Sequence, residues 1–323
     1  MKAFILNTAG VAEDLQIAEI PIPVISNNEV LIQVKAISIN PVDVKSRAND
    51  DLLSWAAGSD RPVILGWDVS GIVTAVGNEV HEFKVGDEVF GMVNVNEAGT
   101  GEILGKGRAY AEYVSAPASH LALKPENISH TTAVGATMAA MTAWQALQLG
   151  QIKKGEKVLI HAAAGGVGHF AVQMAKYLGA YVIATSSPEN KQFILDLGAD
   201  EHIDYKNQLF DEVVKDVDLV LDTIAGSTLS RSINVVKTGG RIVTIPSWEI
   251  PQEDIEASKA KGIQIDFMLV KSNGEDMRII ASLLNNGYMH SHIQKIFSFE
   301  QMPLAHKEVE KGRTVGKIVV AIN

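Results

Sequence analysis

A glycine-rich turn follows a short apolar run near the middle of the chain. Residues 158–160 read VLI, and Ala163, Gly165 and Gly168 then follow in the spacing of a G-x-G-x-x-G motif whose first glycine is alanine. A helical pattern over 167–178 comes next. In such a strand–turn–helix unit the second glycine lets the backbone approach a pyrophosphate, the third allows close helix–strand packing, and the helix N-terminus supplies free N–H groups. The pattern predicts a dinucleotide site; a tight turn without a ligand is the alternative.

The next apolar run, 181–185, ends in hydroxyl side chains. NAD-binding domains usually carry Asp or Glu at this point, where the carboxylate binds the ribose 2′-OH. This chain has Ser186 and Ser187 instead, which can donate to a 2′-phosphate, and Lys191 lies about one helical turn further on to add positive charge. Tyr205, after the following strand, could close over the same end. These residues favour NADPH over NADH, although a helix N-cap at the two serines would be equally compatible with the pattern.

Other patterns that carry chemistry are sparse. None of the nine histidines forms an H-x-x-x-H pair, and there is no G-x-S-x-G nucleophile motif. Cysteine is absent, which excludes a thiolate nucleophile, a disulfide and a Cys-ligated zinc ion. His161 lies on a buried apolar run beside the glycine turn, so we expect a hydrogen-bonded structural residue there rather than a metal ligand.

Composition excludes several partner classes. The 323 residues carry 28 Lys plus Arg and 38 Asp plus Glu, for a formal net charge of −10. An acidic chain without a basic cluster argues against nucleic acid, and no apolar run reaches the roughly 18 residues of a membrane span. The N-terminus, MKAFILNTAG, lacks the basic and apolar regions of a signal peptide. We therefore expect a small-molecule substrate and a cytoplasmic location, with which the absence of cysteine is compatible.

The order of the elements predicts two domains, as the chain length suggests. Short strand-like runs separated by Gly, Pro and Asn fill about the first 120 residues, and the glycine-rich segment Glu97–Arg108 is predicted to be a mobile loop. Ser129–Gln148 is predicted to form a helix. From Lys157 to about Val270, apolar runs alternate with helical patterns, which is typical of a parallel sheet. The fold class is therefore α/β, with a doubly wound domain (125–269) inserted into a β-rich domain (1–124 plus 270–323).

Several short motifs together resemble one family, the zinc-independent quinone oxidoreductases (zeta-crystallin-like branch) of the medium-chain dehydrogenase/reductase superfamily. The resemblance extends over the whole chain. The matching stretches are SINPVD (38–43), LGWDVSG (65–71), VG (76–77), FKVGDEVFG (83–91), TAW (142–144), AAAGGVG (162–168), GR (312–313) and GK (316–317). It implies a Rossmann domain that binds the dinucleotide, a GroES-like catalytic domain, and a homodimer, for which the strand Ile263–Leu269 is the candidate contact.

The sequence departs from the zinc-dependent relatives at their metal site. Those relatives carry Gly-His-Glu where this chain has Gly66-Trp67-Asp68, and an early Cys ligand where it has Asn40 to Asp43. The resemblance therefore implies metal-independent hydride transfer from NADPH to a quinone or to the C=C bond of an α,β-unsaturated carbonyl. The run Asn-Pro-Val-Asp followed by Lys45 is most similar to the enone and alkenal reductases. A non-catalytic NADPH-binding sensor is the alternative, and a zinc alcohol dehydrogenase is less favoured.

The resemblance also implies roles for individual residues. Asn40 and Lys45 are candidate hydrogen-bond donors to the substrate oxygen, and Asp43, Trp67 and Tyr110 would line or support the substrate cleft. The cofactor-binding residues would be Val42, Thr142, Ala164, Gly165, Gly166, Val167, Gly168, Ser186, Ser187, Lys191, Tyr205, Thr223, Ile245, Pro246, Arg313 and Lys317.

Overall fold

A computed structural model describes residues 1–58, 60–94, 107–247 and 249–322. Most of the predicted loop Glu97–Arg108 therefore lies outside the described residues. The chain forms two compact units. The first unit comprises Met1–Met141 and Lys271–Asn323, and the second comprises Thr142–Val270.

The strands and helices follow the predicted alternation. The strands are β1 (Lys2–Ile5), β2 (Gln16–Glu19), β3 (Glu29–Ile39), β4 (Asp68–Val76), β5 (Glu88–Met92), β6 (Tyr113–Pro117), β7 (Leu121–Leu123), β8 (Lys157–Ile160), β9 (Tyr181–Ser186), β10 (Glu201–Asp204), β11 (Val217–Asp222), β12 (Val236–Thr244), β13 (Gln264–Phe267), β14 (Ile293–Ser298) and β15 (Lys317–Ala321). The helices are α1 (Pro41–Ala48), α2 (Asp50–Ala57), α3 (His130–Gly135), α4 (Met138–Leu149), α5 (Gly168–Tyr177), α6 (Lys191–Asp196), α7 (Phe210–Val213), α8 (Ser227–Val235), α9 (Gln252–Ala260), α10 (Gly274–Asn285) and α11 (Met302–Glu310). Short 3-10 helices cover Ala12–Asp14, Ala118–His120, Pro188–Asn190 and Phe299–Gln301.

The second unit contains a parallel sheet. Its strand order is β10-β9-β8-β11-β12-β13, and each neighbouring pair is parallel. The chain starts at β8, adds two strands on one side and then three on the other, which is the Rossmann topology. Every residue of β11 is buried, as expected for a strand covered on both faces. The predicted doubly wound fold is confirmed, and its order reverses between β8 and β11, where ligands of such sheets bind at the carboxyl ends of the strands.

The first unit contains a mostly antiparallel sheet of the GroES-like kind. Its strand order is β14-β15-β3-β4-β5-β7, with β6 also paired to β3, and β1 and β2 form a separate pair. The C-terminal strand β15 runs antiparallel to β3, with Ile318 opposite Ile39 and Val319 opposite Ser38. The tail thus rejoins the N-terminal sheet, and this register brings Lys317 beside the residue that follows β3, Asn40.

The helical pattern predicted over 129–148 is two helices, α3 and α4. The chain leaves helical geometry at Ala136, and the Thr137 hydroxyl donates to the Val134 carbonyl oxygen at 2.7 Å. A carboxylate oxygen of Asp68 then accepts from the Met138 N–H at 3.0 Å, so α4 begins anew with a capped N-terminus. Because α3 packs on β3, β4 and β15, residues 125–141 lie in the first unit, whereas the change in composition near Pro125 had placed them in the second.

Candidate functional site

The glycine turn is held in shape by the neighbouring strand. It follows β8, and Ala162 adopts a left-handed backbone conformation with φ of 46°. The Ala163 N–H donates to the Thr185 carbonyl oxygen at 2.9 Å, and the Ala162 N–H donates to the Thr185 hydroxyl oxygen at 3.2 Å. Within the turn, the Gly165 N–H donates to the Ala162 carbonyl oxygen at 2.9 Å. Thr185 of β9 therefore fixes the backbone of this turn, whose glycines would by themselves allow many conformations.

The two glycines of the motif have different surroundings. A Cβ atom at Gly168 would lie 2.4 Å from the Ala162 carbonyl oxygen and 2.6 Å from Ala163 Cα, so only glycine lets α5 begin this close to β8. A Cβ atom at Gly165 would meet one atom, the Ala162 oxygen at 3.2 Å, and the side facing away from the turn is open.

Backbone donors at this turn are unused. Among the described residues, the N–H groups of Gly166, Val167 and Gly168 have no acceptor, and Gly165, Gly166 and Val167 are only half-buried. Three free donors at the N-terminus of a ten-residue helix fit a dinucleotide pyrophosphate, because the helix dipole adds to their positive potential. Ala164 is buried beneath them.

Other predicted cofactor residues lie at the carboxyl ends of β11 and β12. The Thr223 hydroxyl donates to the His161 carbonyl oxygen at 2.9 Å, and the Ile245 N–H donates to the Asp222 carbonyl oxygen at 3.0 Å. Pro246 follows and is exposed. Asp222 itself is fully buried and accepts from the Thr244 hydroxyl at 2.8 Å. Thr223 therefore lies at a strand end beside the switch point, and Ile245 and Pro246 lie at the next strand end, along the edge where a Rossmann fold holds its ligand.

The end of β9 carries the residues predicted to bind a 2′-phosphate. Ser186 is 2% exposed and its hydroxyl donates to the Ser187 carbonyl oxygen at 3.1 Å. Ser187 is half-buried, and its hydroxyl oxygen accepts from the Asn190 side-chain amide at 3.1 Å. Lys191 and Tyr205 are exposed. Ser187, Lys191 and Tyr205 thus present polar groups at one edge, whereas Ser186 lies beneath it.

Sequence reasoning missed two residues at this edge, His202 and Lys206. His202 Nε2 lies 2.8 Å from the Ser186 hydroxyl oxygen. The exposed Glu189 carboxylate pairs with the Lys206 ammonium at 3.0 Å. A hydrogen bond from the Ser187 hydroxyl, then one from the Glu189 backbone N–H and then the Lys206 ammonium lower the pKa of Glu189 to about 2. Lys206 therefore offsets the Glu189 carboxylate, which would otherwise repel a phosphate here, and no residue spacing along the chain predicts either contact.

His161 is structural, as predicted. It is 1% exposed, with Nε2 3.0 Å from the Ser232 hydroxyl oxygen and Nδ1 3.3 Å from the Thr185 hydroxyl oxygen. Ser232 donates its own proton to the Thr228 carbonyl oxygen at 2.7 Å, so His161 Nε2 must be the donor to Ser232. Burial lowers the pKa of His161 to about 4, and the neutral ring links β8, β9 and α8 by hydrogen bonds.

The first unit contains a buried polar cluster around Lys317. Its ammonium lies 2.5 Å from Asn40 Oδ1, 3.3 Å from the Ile39 carbonyl oxygen and 4.0 Å from an Asp68 carboxylate oxygen. The same carboxylate oxygen accepts from Asn40 Nδ2 at 2.8 Å and from the Ser38 hydroxyl. Burial lowers the pKa of Lys317, and the carboxylates of Asp68 and Asp43 oppose that shift. We call Ser38, Asn40, Asp68 and Lys317 the lysine cluster; it fixes both ends of the Asn40 amide.

A second buried group adjoins this cluster. An Asp43 carboxylate oxygen accepts from the Asn40 backbone N–H at 2.6 Å, which caps α1. Tyr110 lies beside Asp43, and its hydroxyl is 3.0 Å from His306 Nε2 on α11. Burial raises the pKa of Asp43 to about 7, with the Asp68 charge acting in the same direction and the Asn40 N–H opposing it. Asp43 and Tyr110 are fully buried, as is Trp67, so none of these three predicted cleft residues is exposed at the surface of the unit.

The remaining predicted residues are less enclosed. Lys45 on α1 is exposed and has no hydrogen-bond or ion-pair partner among the described residues. Val42 is half-buried and Arg313 is exposed, while Thr142 is 4% exposed. Lys317, predicted to reach the cofactor, has all the partners named above within its own unit.

Comparison with known proteins places the whole chain. Residues 26–126 match the alcohol dehydrogenase GroES-like domain, and residues 197–320 match the zinc-binding dehydrogenase family. The chain is 31% identical to mitochondrial NAD(P)H oxidoreductase RTN4IP1 of Mus musculus over 100% of this chain and 89% of that protein. It is 30% identical to the chloroplastic NADPH-dependent alkenal/one oxidoreductase of Arabidopsis thaliana over 99% of this chain and 79% of that protein. The structure of the quinone oxidoreductase from Coxiella burnetii superimposes with a TM-score of 0.91 at 33% identity, covering 100% of this chain and 99% of that one.

The chain belongs to the quinone oxidoreductase branch of the medium-chain dehydrogenase/reductase superfamily. The resemblance seen in the sequence is confirmed. In this branch member, no group of three or more His, Cys, Asp or Glu in the described part of the chain is arranged to hold a metal ion. Where a zinc-dependent relative would place its Glu, Asp68 is engaged by Lys317, Asn40, Ser38 and the start of α4.

A cavity of about 330 Å³ lies elsewhere in the first unit of this quinone oxidoreductase relative. Its walls include Ile20 to Pro23, Pro62 to Ile64 and Tyr113 to Ser115, with Arg108 and Asp60 as charged members. None of the predicted site residues lines it.

The helices of the described chain include none long and apolar enough to cross a membrane.

Proposed function

We propose that the protein is an NADPH-dependent reductase of quinones or of the C=C bond of α,β-unsaturated carbonyl compounds. One observation about the parallel sheet carries the proposal. Three free N–H groups lie at the glycine turn after β8, and the end of the neighbouring strand β9 presents hydroxyls and Lys191 where NAD-binding folds present a carboxylate. Relatives described as an alkenal/one oxidoreductase and a quinone oxidoreductase support the acceptor class.

The arrangement supports NADPH over NADH by charge. Lys191 is exposed and has no partner among the described residues, and Lys206 neutralises Glu189. A phosphate dianion would therefore meet the unpaired Lys191 ammonium, whereas a ribose 2′-OH would find no carboxylate at the end of β9 to accept its hydrogen bond. When bound, NADPH would supply the hydride from its nicotinamide ring.

The residues of the first unit could serve the substrate oxygen as charge develops on it. Lys45 is a free, exposed ammonium. The Asn40 amide accepts from Lys317 and donates one Nδ2 hydrogen to Asp68, so its second Nδ2 hydrogen is the one available donor and its orientation is fixed. A preorganised donor of this kind is worth about 10²–10³ in rate in other enzymes. We favour Lys45 as the flexible donor and Asn40 as the fixed one.

The test is NADPH oxidation by the purified protein against a small acceptor panel. The panel contains 1,4-benzoquinone, 9,10-phenanthrenequinone, an alkenal and a 2-alkenone, with NADH and a chelator as controls. We expect saturable turnover that prefers NADPH, and the preferred acceptor assigns the enzyme to quinones or to enones. Lys45→Met should lower kcat at unchanged NADPH affinity. NADPH binding without turnover of any acceptor would contradict the proposal and favour a sensor.

The assembly and the location are further proposals. We infer a homodimer formed along β13, because β13 is the last strand in the order of the parallel sheet and Ile265 and Phe267 are only half-buried there. Light scattering after size exclusion tests it, and Ile265→Arg should give a monomer. We also propose a cytoplasmic location, with which the absence of cysteine is compatible. The mitochondrial and chloroplastic relatives make organelles the alternative in a localisation experiment.

A further inference from the structure

The imidazole of His202 lies within hydrogen-bond distance of the Ser186 hydroxyl, beneath the edge that we propose binds the 2′-phosphate. His202 lies on β10 opposite Ala184 of β9, and its Nε2 is 2.8 Å from the Ser186 hydroxyl oxygen. Ser186 donates its own proton to the Ser187 carbonyl oxygen. A hydroxyl that is already donating can only accept from His202, so Nε2 carries the hydrogen and Nδ1 is the nitrogen that remains to be protonated.

We propose that His202 is a specificity-determining residue for the adenosine 2′-phosphate, because it donates to Ser186 and takes up a proton when the phosphate binds. The inference rests on the proposed preference for NADPH. Rotation of the Ser186 hydroxyl from the Ser187 carbonyl toward a phosphate oxygen would give a continuous chain from His202 Nε2–H through Ser186 O–H to the phosphate. Each bond in such a chain polarises the next, and an imidazolium at its end is a stronger donor than a neutral ring.

The charges around His202 set the direction of the effect. Burial lowers the pKa of His202, and Lys191 on α6 acts in the same direction. Asp204 on its own strand and the backbone carbonyls of Ser186 and Ser187 oppose this shift. The ring is therefore neutral near pH 7 in the free protein. A bound dianion would offset the Lys191 charge and favour the imidazolium, whereas NADH, which has no 2′-phosphate, would leave the ring neutral.

Linkage then makes NADPH affinity depend on pH. If binding takes up one proton, affinity rises by up to about tenfold for each pH unit that the pH falls between the pKa values of the bound and free states. NADH affinity should stay flat over the same interval. The 2′-phosphate itself titrates near pH 6, so a variant without the imidazole is needed to separate the two contributions.

The experiment is isothermal titration of the full-length protein with NADP⁺ and with NAD⁺, in two buffers of different ionisation enthalpy, from about pH 6.5 to about pH 8. The variants are His202→Gln, Ser186→Ala and, as a matched control, His81→Gln, which removes an exposed histidine of the first unit. We expect proton uptake on NADP⁺ binding by the wild type and by the His81 variant, and little uptake with NAD⁺. His202→Gln should lose the uptake and weaken NADP⁺ binding several-fold more at the lower pH, with NAD⁺ binding unchanged.

The outcomes separate this inference from the proposed function. Equal proton uptake and an equal NADP⁺-to-NAD⁺ affinity ratio in wild type and His202→Gln would overturn the role of His202 while leaving the NADPH preference intact. A wild type that does not prefer NADP⁺ would overturn both. Ser186→Ala keeps the ring and breaks the chain, so it should lose part of the NADP⁺ affinity at the lower pH. The His202 Cε1–H resonance, assigned by its loss in His202→Gln, should titrate at higher pH with NADP⁺ bound; an unchanged midpoint also contradicts the inference.

Discussion

At the scale of single residues, Lys317 carries a charge that is buried inside the first unit. Its ammonium is 3% exposed and the Asp68 carboxylate is fully buried. Removing one partner of a buried pair leaves the other charge uncompensated, so Lys317→Met should lower the free energy of unfolding by roughly 3–5 kcal/mol. Urea denaturation followed by circular dichroism measures the loss.

Two variants control this prediction. Lys311→Met removes an exposed ammonium of the same tail, paired with Glu308 at 2.9 Å and 61% exposed, and should cost less than about 1 kcal/mol. Lys317→Met combined with Asp68→Asn should recover part of the loss, because the stranded carboxylate is gone. Equal midpoints for Lys317→Met and Lys311→Met would show that the lysine cluster does not stabilise the unit.

Asp43 should make stability depend on pH. Burial raises its pKa to about 7 in the folded protein, against a reference value of 3.8, so between these values the folded state holds a proton that the unfolded chain releases. The stability contributed by this proton is complete below about pH 4 and is lost as the pH rises through about 7, by about 1.4 kcal/mol per pH unit. Denaturation of wild type and Asp43→Asn over this range measures it: the wild type should lose stability relative to the variant. A constant difference would contradict the raised pKa.

The residues of the lysine cluster were only partly predictable. Asn40 and Lys317 were named from motif resemblance, but their contact follows from the pairing of β15 with β3, which joins positions far apart in sequence. His306 and His202 carried no signal, because an isolated histidine in a helix or strand is indistinguishable from a structural one until its neighbours are placed. The proximity of Glu189 to Lys206 depends on how the chain continues after β9 and β10 end.

At the scale of elements, substitutions of the two motif glycines should affect folding and cofactor binding differently. Gly168→Ala places a methyl group 2.4 Å from the Ala162 carbonyl oxygen, whereas Gly165→Ala meets that oxygen at 3.2 Å with open space elsewhere. Gly168→Ala should therefore lower both thermal stability and NADPH affinity. Gly165→Ala should leave stability within about 1 kcal/mol and weaken NADPH binding at least tenfold, because the methyl group fills the approach to the pyrophosphate.

Fluorescence titration with NADPH and thermal denaturation measure the two quantities separately. Gly287→Ala is a suitable control for a surface glycine, since a Cβ there meets nothing within 4 Å; its φ of 71° adds backbone strain only. Unchanged NADPH affinity in Gly165→Ala would mean that the pyrophosphate does not approach the turn at this point.

The same scale shows where sequence patterns succeed. The apolar runs at β8 and β9 were found to within one residue, because buried strands of a parallel sheet read as nearly continuous apolar segments. The division between α3 and α4 was missed although Gly135 directly precedes the break, because a single glycine inside a helical pattern does not by itself end a helix. The break is stabilised instead by the distant Asp68 carboxylate, which caps Met138.

At the scale of the whole molecule, catalysis should be independent of a bound metal. The chain contains no cysteine, Trp67 stands where zinc-dependent relatives have histidine, and Asp68 already accepts hydrogen bonds from Asn40 and Ser38. The Lys317 ammonium is the cation of this cluster, so a zinc ion would find neither a complete ligand set nor an uncompensated charge.

Dialysis against a strong chelator should leave NADPH-dependent turnover unchanged, and elemental analysis of the active protein should find less than one zinc ion per ten chains, far below the stoichiometry of a catalytic site (about one per chain). A zinc alcohol dehydrogenase treated in parallel should lose its activity, which shows that the chelation was effective. Turnover that is lost on dialysis and restored by zinc would contradict this prediction. The zinc ligands would then have to come from the lysine cluster after a rearrangement, and Lys317→Met should bind zinc more tightly than the wild type.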